Sequence, residues 1–270
     1  MRVGIVAQKD NARAAGLASD IHDAVPAEVV LDSATAAATG LDGIPVDEMD
    51  ACDLVVSIGG DGTFLFAARG ARDTPIMGVN LGEVGFLNAT APEESVETVA
   101  AVVDAYESGT MDVLTMPRVQ ATGEGWTLPP SLNEVVVMGR QRGHGNGIDV
   151  ETRVDGARYA DGRADGVLVA TPTGSTAYNL SEGGPLVHSA TDALVVTEMC
   201  ARGGMPPLVV DAGRTVTLRI EGGNGAVVVG DGRLTREIEP PAEVTIRRAE
   251  TPLRIAGPDL EFFAALGKLD

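Results

Sequence analysis

The feature that most constrains this chain is a buried-strand pattern that runs directly into glycines. Residues 54–58 form an apolar run with β-branched side chains, which is typical of a strand covered on both faces. Three glycines and one aspartate follow at residues 59–62, and Thr63 predicts the cap of a helix through residue 69. A strand, a glycine turn and a helix N-terminus together form a backbone site for phosphate.

Asp61 is unexpected in such a loop, because a carboxylate repels phosphate unless it takes part in the chemistry or holds a metal ion. The alternative is that Asp61 only closes an Asx-type turn and that the glycines only supply positive φ angles. Both interpretations are open from residues 59–62 alone, since Gly-Asp-Gly turns are common.

Strand and helix patterns alternate through residues 1–112, which predicts an α/β domain with a doubly wound parallel sheet. Residues 34–47 are small and polar, and we expect a loosely ordered connection there. The loop at residues 59–62 would then lie at the carboxyl ends of the strands, where such sheets bind ligands. The predicted strands are 3–7, 27–31, 54–58 and 75–79, and the predicted helices are 11–25, the one after Thr63, and 92–108.

From residue 113 the apolar spacing changes to two, with short strands and many glycine turns. This predicts an all-β, sandwich-like second domain over residues 113–256. Residues 257–270 are predicted to form a C-terminal helix that returns to the first domain, with Leu260, Phe263 and Leu266 on one face. The predicted strands of the second domain are 118–122, 132–138, 148–154, 167–170, 215–220, 226–229 and 244–248.

A second glycine-rich stretch covers residues 165–185. A buried-strand pattern runs into a Thr-Pro-Thr-Gly turn and then a helix start, which presents N–H groups and hydroxyls to ribose and phosphate oxygens. Tyr178 can stack on a base, or it can be a core residue with a hydrogen-bonded hydroxyl. Asn133 and Glu134 can bind both hydroxyls of a ribose, although such a pair is also ordinary turn chemistry.

Together these stretches resemble the NAD kinase family, whose members use ATP or inorganic polyphosphate. The resemblance spans residues 54–187. The Gly-Gly-Asp-Gly stretch also occurs in diacylglycerol, sphingosine and phosphofructokinases, whereas Thr-Pro-Thr-Gly-Ser-Thr-Ala-Tyr is far more specific. The matching stretches are residues 59–63, 80–87, 133–134 and 165–185.

The resemblance implies a fold like that of NAD kinase and diacylglycerol kinase, and a phosphoryl transfer to the 2′-hydroxyl of the adenosine ribose of NAD. Asp61 would accept the hydroxyl proton. Gly59, Gly60, Gly62 and Thr63 would hold the phosphates of ATP or polyphosphate with Mg²⁺ or another divalent cation. The residues implied to bind NAD are Asp61, Gly62, Asn133, Glu134, His144, Arg163, Asp165, Thr173, Thr176, Ala177, Tyr178, Ser181 and Arg233.

Two other functions remain open at this point. One is a lipid or sugar kinase of the same superfamily, and the other is a catalytically silent regulator that binds NAD or NADP. Asp61 argues against the silent regulator, because a pure binding protein gains nothing from a carboxylate beside phosphates. His144 can also be a solvated loop histidine.

The composition excludes several classes of protein. The formal net charge of −19 argues against a surface for nucleic acid or anionic membranes. Neither lysine lies in a glycine loop, which excludes a P-loop ATPase, and two cysteines are too few for a disulfide framework. With no apolar run as long as a membrane span, we expect a soluble, cytoplasmic protein, and the resemblance implies a homodimer or homotetramer.

The acidic composition also predicts a protein from a halophile, because concentrated salt screens the repulsion between like charges. We expect refolding, followed by circular dichroism, to succeed in molar KCl and to fail or weaken at low salt. Full stability without salt would instead mean that the charge serves only solubility.

Overall fold

The structure, a computed structural model, describes residues 1–82, 85–141, 146–260 and 262–269. Its contacts divide the chain into two compact units. Met1–Met116 and Leu253–Asp270 form the first unit, and Pro117–Pro252 forms the second. Each unit has a hydrophobic core of its own.

The helices and strands are as follows. The strands are β1 (Arg2–Ala7), β2 (Glu28–Asp32), β3 (Gly43–Ile44), β4 (Leu54–Gly59), β5 (Ile76–Asn80), β6 (Val113–Met116), β7 (Val119–Gly123), β8 (Trp126–Thr127), β9 (Glu134–Gly139), β10 (Ile148–Val154), β11 (Ala157–Ala164), β12 (Gly166–Ala170), β13 (Ala193–Met199), β14 (Leu208–Asp211), β15 (Val216–Gly223), β16 (Ala226–Gly230), β17 (Leu234–Ile238), β18 (Ala242–Arg248) and β19 (Leu253–Ala256). The α-helices are α1 (Ala12–Ala24), α2 (Ser33–Thr39), α3 (Asp61–Ala71), α4 (Ser95–Glu107), α5 (Tyr178–Ser181) and α6 (Phe262–Ala265). The 3₁₀ turns are Val46–Ala51, Pro92–Glu94, Thr173–Thr176 and Leu266–Leu269.

The first unit is built on a sheet with the strand order β3-β2-β1-β4-β5-β19-β6. The strands from β3 to β5 pair in parallel. Helices α1 and α4 pack on the face that carries Val3 and Ile5. The opposite face meets the 3₁₀ turn Val46–Ala51, because a Cβ on Gly4 would lie 2.5 Å from Met49 Sδ. With elements on both faces of a parallel sheet, the predicted doubly wound α/β fold is confirmed.

The prediction of a loose connection at residues 34–47 is wrong, since α2, β3 and part of a 3₁₀ turn lie there. The carboxylate of Asp32 caps α2 by accepting hydrogen bonds from the N–H groups of Ala34 and Thr35, at 3.0 and 3.3 Å. Gly40 ends the helix in the left-handed region, with φ of 77°. The alanines and threonines of α2 have too little contrast in hydropathy to produce a helical period.

The prediction that Thr63 caps the helix after the glycine loop is wrong. Helix α3 begins at Asp61, and its N-cap is Gly60, which makes no side-chain hydrogen bond. The N–H of Thr63 donates instead to the carbonyl of Gly60 at 2.9 Å. Asp61 and Gly62 therefore lie in the first helical turn, where N–H groups point out of the helix end.

Strands β6 and β19 lie in the first unit, although their sequences were included in the predicted second domain. They pair with each other antiparallel, and β19 also pairs with β5. A period of two identifies a strand but not the sheet that it joins. At the C-terminus, Phe263 was predicted to lie on the apolar face of the helix, but its side chain is 75% exposed, so that prediction is wrong. The ring of Phe262 instead contacts the ring of Phe86, with 6.1 Å between their centroids.

The second unit is a sandwich of two antiparallel sheets, as predicted. Their strand orders are β11-β10-β15-β18-β7-β8 and β14-β13-β12-β9-β16-β17. Alternate side chains of the two sheets meet in one core, for example Val135 and Val169 with Leu218 and Ile246. Strands β8, β11, β14 and β17 were not predicted, and all four are edge strands with mostly exposed or half-buried residues. Strand β13 was not predicted either, although it is buried.

Within the described part of the chain, no helix is both long and apolar enough to cross a membrane.

The cap of α2 provides a test of the fold. Asp32 is 4% exposed, and Thr35 Oγ1, which is hydrogen bonded to Asp32 Oδ1, also accepts the N–H of Ala7 at 2.9 Å. Asp32→Ala should lower the free energy of unfolding by about 1–2 kcal/mol. The measurement is chemical unfolding in molar KCl. Asp32→Asn keeps a capping oxygen and is the control, and equal stability of the two variants would contradict the cap.

Candidate active site

The phosphate loop predicted from residues 59–63 joins the carboxyl end of β4 to helix α3. Gly59 must be glycine, because a Cβ there would lie 2.5 Å from Thr63 Oγ1. Gly60 and Gly62 have open space instead, with nothing within 4 Å of a Cβ placed on either residue. The packing of the protein does not require glycine at these two positions. Their backbone is therefore free for close approach by a ligand such as phosphate.

Asp61 is half-buried in the first turn of α3. Its Oδ1 accepts a hydrogen bond from Asn88 Nδ2 at 3.0 Å, and a Cβ on Gly85 would lie 2.6 Å from the same oxygen. Among the described residues the carboxylate accepts no hydrogen bond from its own turn, so the Asx-turn interpretation is not supported. The carboxylate is held instead by the segment that follows β5. Asn88 was not among the predicted site residues, and it lies just after the 80–87 stretch.

Asp61 is also suited to a divalent cation that arrives with a nucleotide. Mg²⁺ in phosphoryl-transfer sites is usually bound through one or two carboxylates together with the substrate phosphates and water. A half-exposed carboxylate beside the open positions Gly60 and Gly62 fits that pattern. In the described ranges no group of three or more His, Cys, Asp or Glu side chains has the arrangement of a metal site.

In the second unit, Asn133 and Glu134 lie at the start of the central strand β9. The carboxylate of Asp231, in the turn after β16, accepts hydrogen bonds from the N–H groups of Leu132, Asn133 and Glu134, at 2.9, 2.8 and 3.3 Å. This contact fixes the backbone direction at the two predicted ribose-binding residues. Asp231 was not among the predicted site residues, although an Asp-Gly after an apolar run was a visible turn signal.

Glu134 is only 5% exposed. Burial raises its pKa to about 8, with a further increase from the charge of Asp231, against the opposing hydrogen bond from the N–H of Tyr178. Its Oε2 is buried and has no hydrogen-bond partner among the described residues. At pH 7 the carboxyl group is therefore mostly protonated, and it can both donate and accept hydrogen bonds.

The Thr-Pro-Thr-Gly turn packs directly against the start of β9. Thr171 donates from its N–H to the carbonyl of Asn133 at 2.8 Å and from Oγ1 to the carbonyl of Leu132 at 2.6 Å. A Cβ on Gly174 would collide with the backbone of Asn133. The two motifs, separate in sequence, thus form one cluster.

The helix expected after this turn is short. Thr173 and Thr176 lie in a 3₁₀ turn, Ala177 follows, and Tyr178 and Ser181 begin and end the four-residue helix α5. The turn is anchored by buried Ser175, whose Oγ hydrogen bonds to the backbone of Pro172 and Val187. The short helix offers little dipole, so polar groups of the turn itself must supply ligand contacts.

Tyr178 is half-buried and packs against an apolar cluster that includes Val136, Leu168 and Ala170. One side of its ring therefore has a core role. Thr173, one turn away, is 7% exposed, and its Oγ1 has no hydrogen-bond partner among the described residues. Buried polar atoms are rarely left without a partner in folded proteins, so Thr173 Oγ1 and Glu134 Oε2 are candidates for contact with a ligand.

Arg163 and Asp165 are not brought to this cluster. They lie at the opposite end of β12, whose pairing places Gly166 opposite Met138 and Ala170 opposite Glu134. The two ends of β12 are roughly 13 Å apart, at about 3.3 Å per residue. Arg163 there makes an ion pair with Asp149 at 3.0 Å.

The remaining predicted residues are placed as follows. Arg233 is exposed in the turn between β16 and β17, two residues after Asp231. His144, together with Glu83 and Val84 of the 80–87 stretch, lies outside the described residues.

Comparison with known proteins matches both halves of the chain to one family. The family model described as "ATP-NAD kinase N-terminal domain" matches residues 3–107, and "ATP-NAD kinase C-terminal domain" matches residues 132–257. The chain is 57% identical over 270 residues to an NAD kinase of Natronomonas pharaonis, and 58% identical over 274 residues to an NAD kinase of Halorubrum lacusprofundi. Both matches cover 100% of each chain.

The structure is also similar to a crystal structure of an NAD kinase from Archaeoglobus fulgidus in complex with ATP. The TM-score is 0.78 at 32% identity, and the match covers 100% of this chain and 98% of the other. The relatives from Natronomonas pharaonis and Halorubrum lacusprofundi come from halophilic archaea, as the acidic composition predicted. These full-length matches show that the chain belongs to the NAD kinase family.

Proposed function

We propose that the protein transfers the terminal phosphoryl group of ATP to the 2′-hydroxyl of the adenosine ribose of NAD, and so produces NADP. The observation that carries this proposal is the carboxylate of Asp61, held through Oδ1 at the start of α3 beside glycines that are open to phosphate. The relative from Archaeoglobus fulgidus was crystallised with ATP, which supports ATP rather than polyphosphate as the donor.

In the first unit, residues 59–63 would hold the donor phosphates through backbone N–H groups. Phosphoryl transfer depends mainly on positioning and on stabilisation of charge. Mg²⁺ bound with the ATP would neutralise charge on the phosphates. Asp61 would accept the proton of the 2′-hydroxyl as the oxygen attacks, a role that contributes about 10²- to 10⁴-fold in rate.

In the second unit, Asn133 and Glu134 would bind ribose hydroxyls. A protonated Glu134 can donate to one hydroxyl and accept from another, which suits its buried position and its unpaired Oε2. Within this unit, the dinucleotide pocket would be lined by Thr173, Thr176, Ala177, Tyr178, Ser181 and Arg233.

We also propose that the protein is a homodimer or homotetramer that works in the cytoplasm. The support for assembly is the resemblance of the sequence to the NAD kinase family.

The full-length relatives are NAD kinases, which argues against the lipid or sugar kinase considered from the sequence. The presence of Asp61, held in place by the hydrogen bond from Asn88, argues against a silent binding protein. Incubation of the protein with NAD, Mg²⁺ and ATP in high salt, followed by an assay for NADP, tests the proposed reaction directly.

Asp61→Asn tests the proposed base. The amide keeps the shape of the side chain but cannot accept the proton, so we expect kcat to fall about 10²- to 10⁴-fold. The affinity for NAD, measured by calorimetry without ATP or Mg²⁺, should remain within about two-fold, because the amide oxygen can still accept the hydrogen bond from Asn88 Nδ2. Asp20→Asn, on the exposed side of α1, is the control. Near-normal turnover of Asp61→Asn would remove the base assignment.

Glu134→Gln tests the protonation state of the buried carboxyl group. Because its pKa is raised, Glu134 keeps its proton in the folded protein at pH values above about 4.5, where the unfolded chain has released it. The contribution of this proton to the free energy of unfolding is therefore present at low pH and is lost as the pH rises towards about 8. Glutamine stays neutral throughout. We therefore expect the Glu134→Gln variant to gain on the order of 3 kcal/mol relative to wild type between pH 5 and 8.5.

Chemical unfolding of the ligand-free protein at a series of pH values measures this difference. Glu97→Gln, at an exposed position of α4, is the matched control and should show no such trend. A constant difference between wild type and Glu134→Gln would mean that Glu134 is ionised in the folded protein.

A further inference from the structure

We propose that Asn88 is the positioning residue of the reaction: it fixes the carboxylate of Asp61 in one orientation for proton transfer. This inference rests on the proposed role of Asp61 as the base, and it adds a residue to which no role had been given. It depends on contacts within the first unit alone.

The amide of Asn88 contacts the carboxylate of Asp61 directly. Asn88 is fully buried, and its Nδ2 donates to Asp61 Oδ1 at 3.0 Å. A Cβ on Gly85 would lie 2.6 Å from the same oxygen, so Oδ1 is enclosed by the amide of Asn88 and the backbone at Gly85. Within the described residues Oδ2 receives no hydrogen bond. The contact therefore leaves one carboxylate oxygen to act on a substrate.

The amide that donates this hydrogen bond is held rigidly by its surroundings. The segment that carries Asn88 is tied to β5 by two backbone hydrogen bonds, from the N–H of Asn80 to the carbonyl of Thr90 at 2.9 Å and from the N–H of Thr90 to the carbonyl of Gly78 at 3.2 Å. A Cβ on Gly78 would collide with Asn88 Oδ1. The amide thus lies directly against a central strand and has no room to move.

The orientation of the Asn88 amide leaves its oxygen without a hydrogen bond from the described residues. Asn88 Oδ1 is buried and has no hydrogen-bond partner among the described residues. An unsatisfied buried acceptor is unfavourable, and an amide kept only for stability would satisfy both of its ends. Rotating the amide would place Oδ1 against the carboxylate of Asp61, so the orientation that donates to Asp61 is retained at the expense of the other bond.

The consequence for catalysis is geometric. A half-exposed aspartate at the start of a helix has several accessible rotamers, and the hydrogen bond from Asn88 selects one of them. Misplacement of a reacting group by about 1 Å can cost about 10²-fold in rate. Loss of the Asn88 amide should therefore reduce turnover without weakening substrate binding.

The test uses Asn88→Leu and Asn88→Ala in the 270-residue chain, with NADP formation measured in high salt. Both variants remove the donor, and Asn88→Leu also keeps the approximate volume of the side chain. We expect kcat to fall about 10- to 100-fold, with the KM for NAD within about two-fold of wild type. Circular dichroism and thermal unfolding report whether each variant folds, and Asn88→Ala serves if Asn88→Leu does not.

Thr90→Val is the matched control. Thr90 lies two residues further along the same tied segment, is 2% exposed, and its Oγ1 has no hydrogen-bond partner among the described residues. Its replacement should leave kcat unchanged. An equal loss of activity in Thr90→Val would show that any disturbance of the segment has this effect, and would overturn the specific role of Asn88.

A double-mutant cycle with Asp61→Asn separates positioning from general damage. If Asn88 acts through Asp61, its replacement in the Asp61→Asn background should cause no further loss of kcat. Independent losses that multiply, or normal kcat in the Asn88 variants, would overturn the inference. Normal activity of Asp61→Asn alone would instead refute the proposed base, which is a different failure.

Discussion

The hydrogen bond between the buried amide of Asn88 and the carboxylate of Asp61 is the contact on which the candidate site of the first unit depends. It joins two loops that leave adjacent parallel strands, because Gly59 at the end of β4 pairs with Asn80 at the end of β5. Glycines at positions 78 and 85 allow this close approach, because a Cβ on Gly78 would collide with Asn88 and one on Gly85 with Asp61 Oδ1. The parallel sheet therefore does more than support the site, since its strand order brings the two groups together.

In the second unit, the buried acid Glu134 lies at the start of β9. Asp231 ties the start of β9 through three N–H groups, and its charge helps to raise the pKa of Glu134. A buried carboxyl group with an unpaired oxygen destabilises the free protein. The second unit thus retains polar atoms, Glu134 Oε2 and Thr173 Oγ1, that are unsatisfied among its described residues, and a substrate can satisfy them.

The chain is a kinase of the NAD kinase family, and these features suit phosphoryl transfer. Such a reaction needs groups that are held in place and charges that are stabilised, and it needs little covalent help from the protein. A helix start, two open glycines and one oriented carboxylate supply these needs on a rigid sheet. The acidic composition, with a net charge of −19, adds a surface suited to the concentrated salt in which the halophilic relatives live.

The sequence by itself determined the fold class, the family and the loop that carries Asp61, because periodicity and glycine turns are local signals. It did not determine which sheet β6 and β19 join, nor the edge strands β11 and β17, whose exposed residues have no apolar pattern. It also missed Asn88 and Asp231. Their partners are 27 residues or more away in sequence, and only the tertiary structure decides which buried polar groups meet across such a distance.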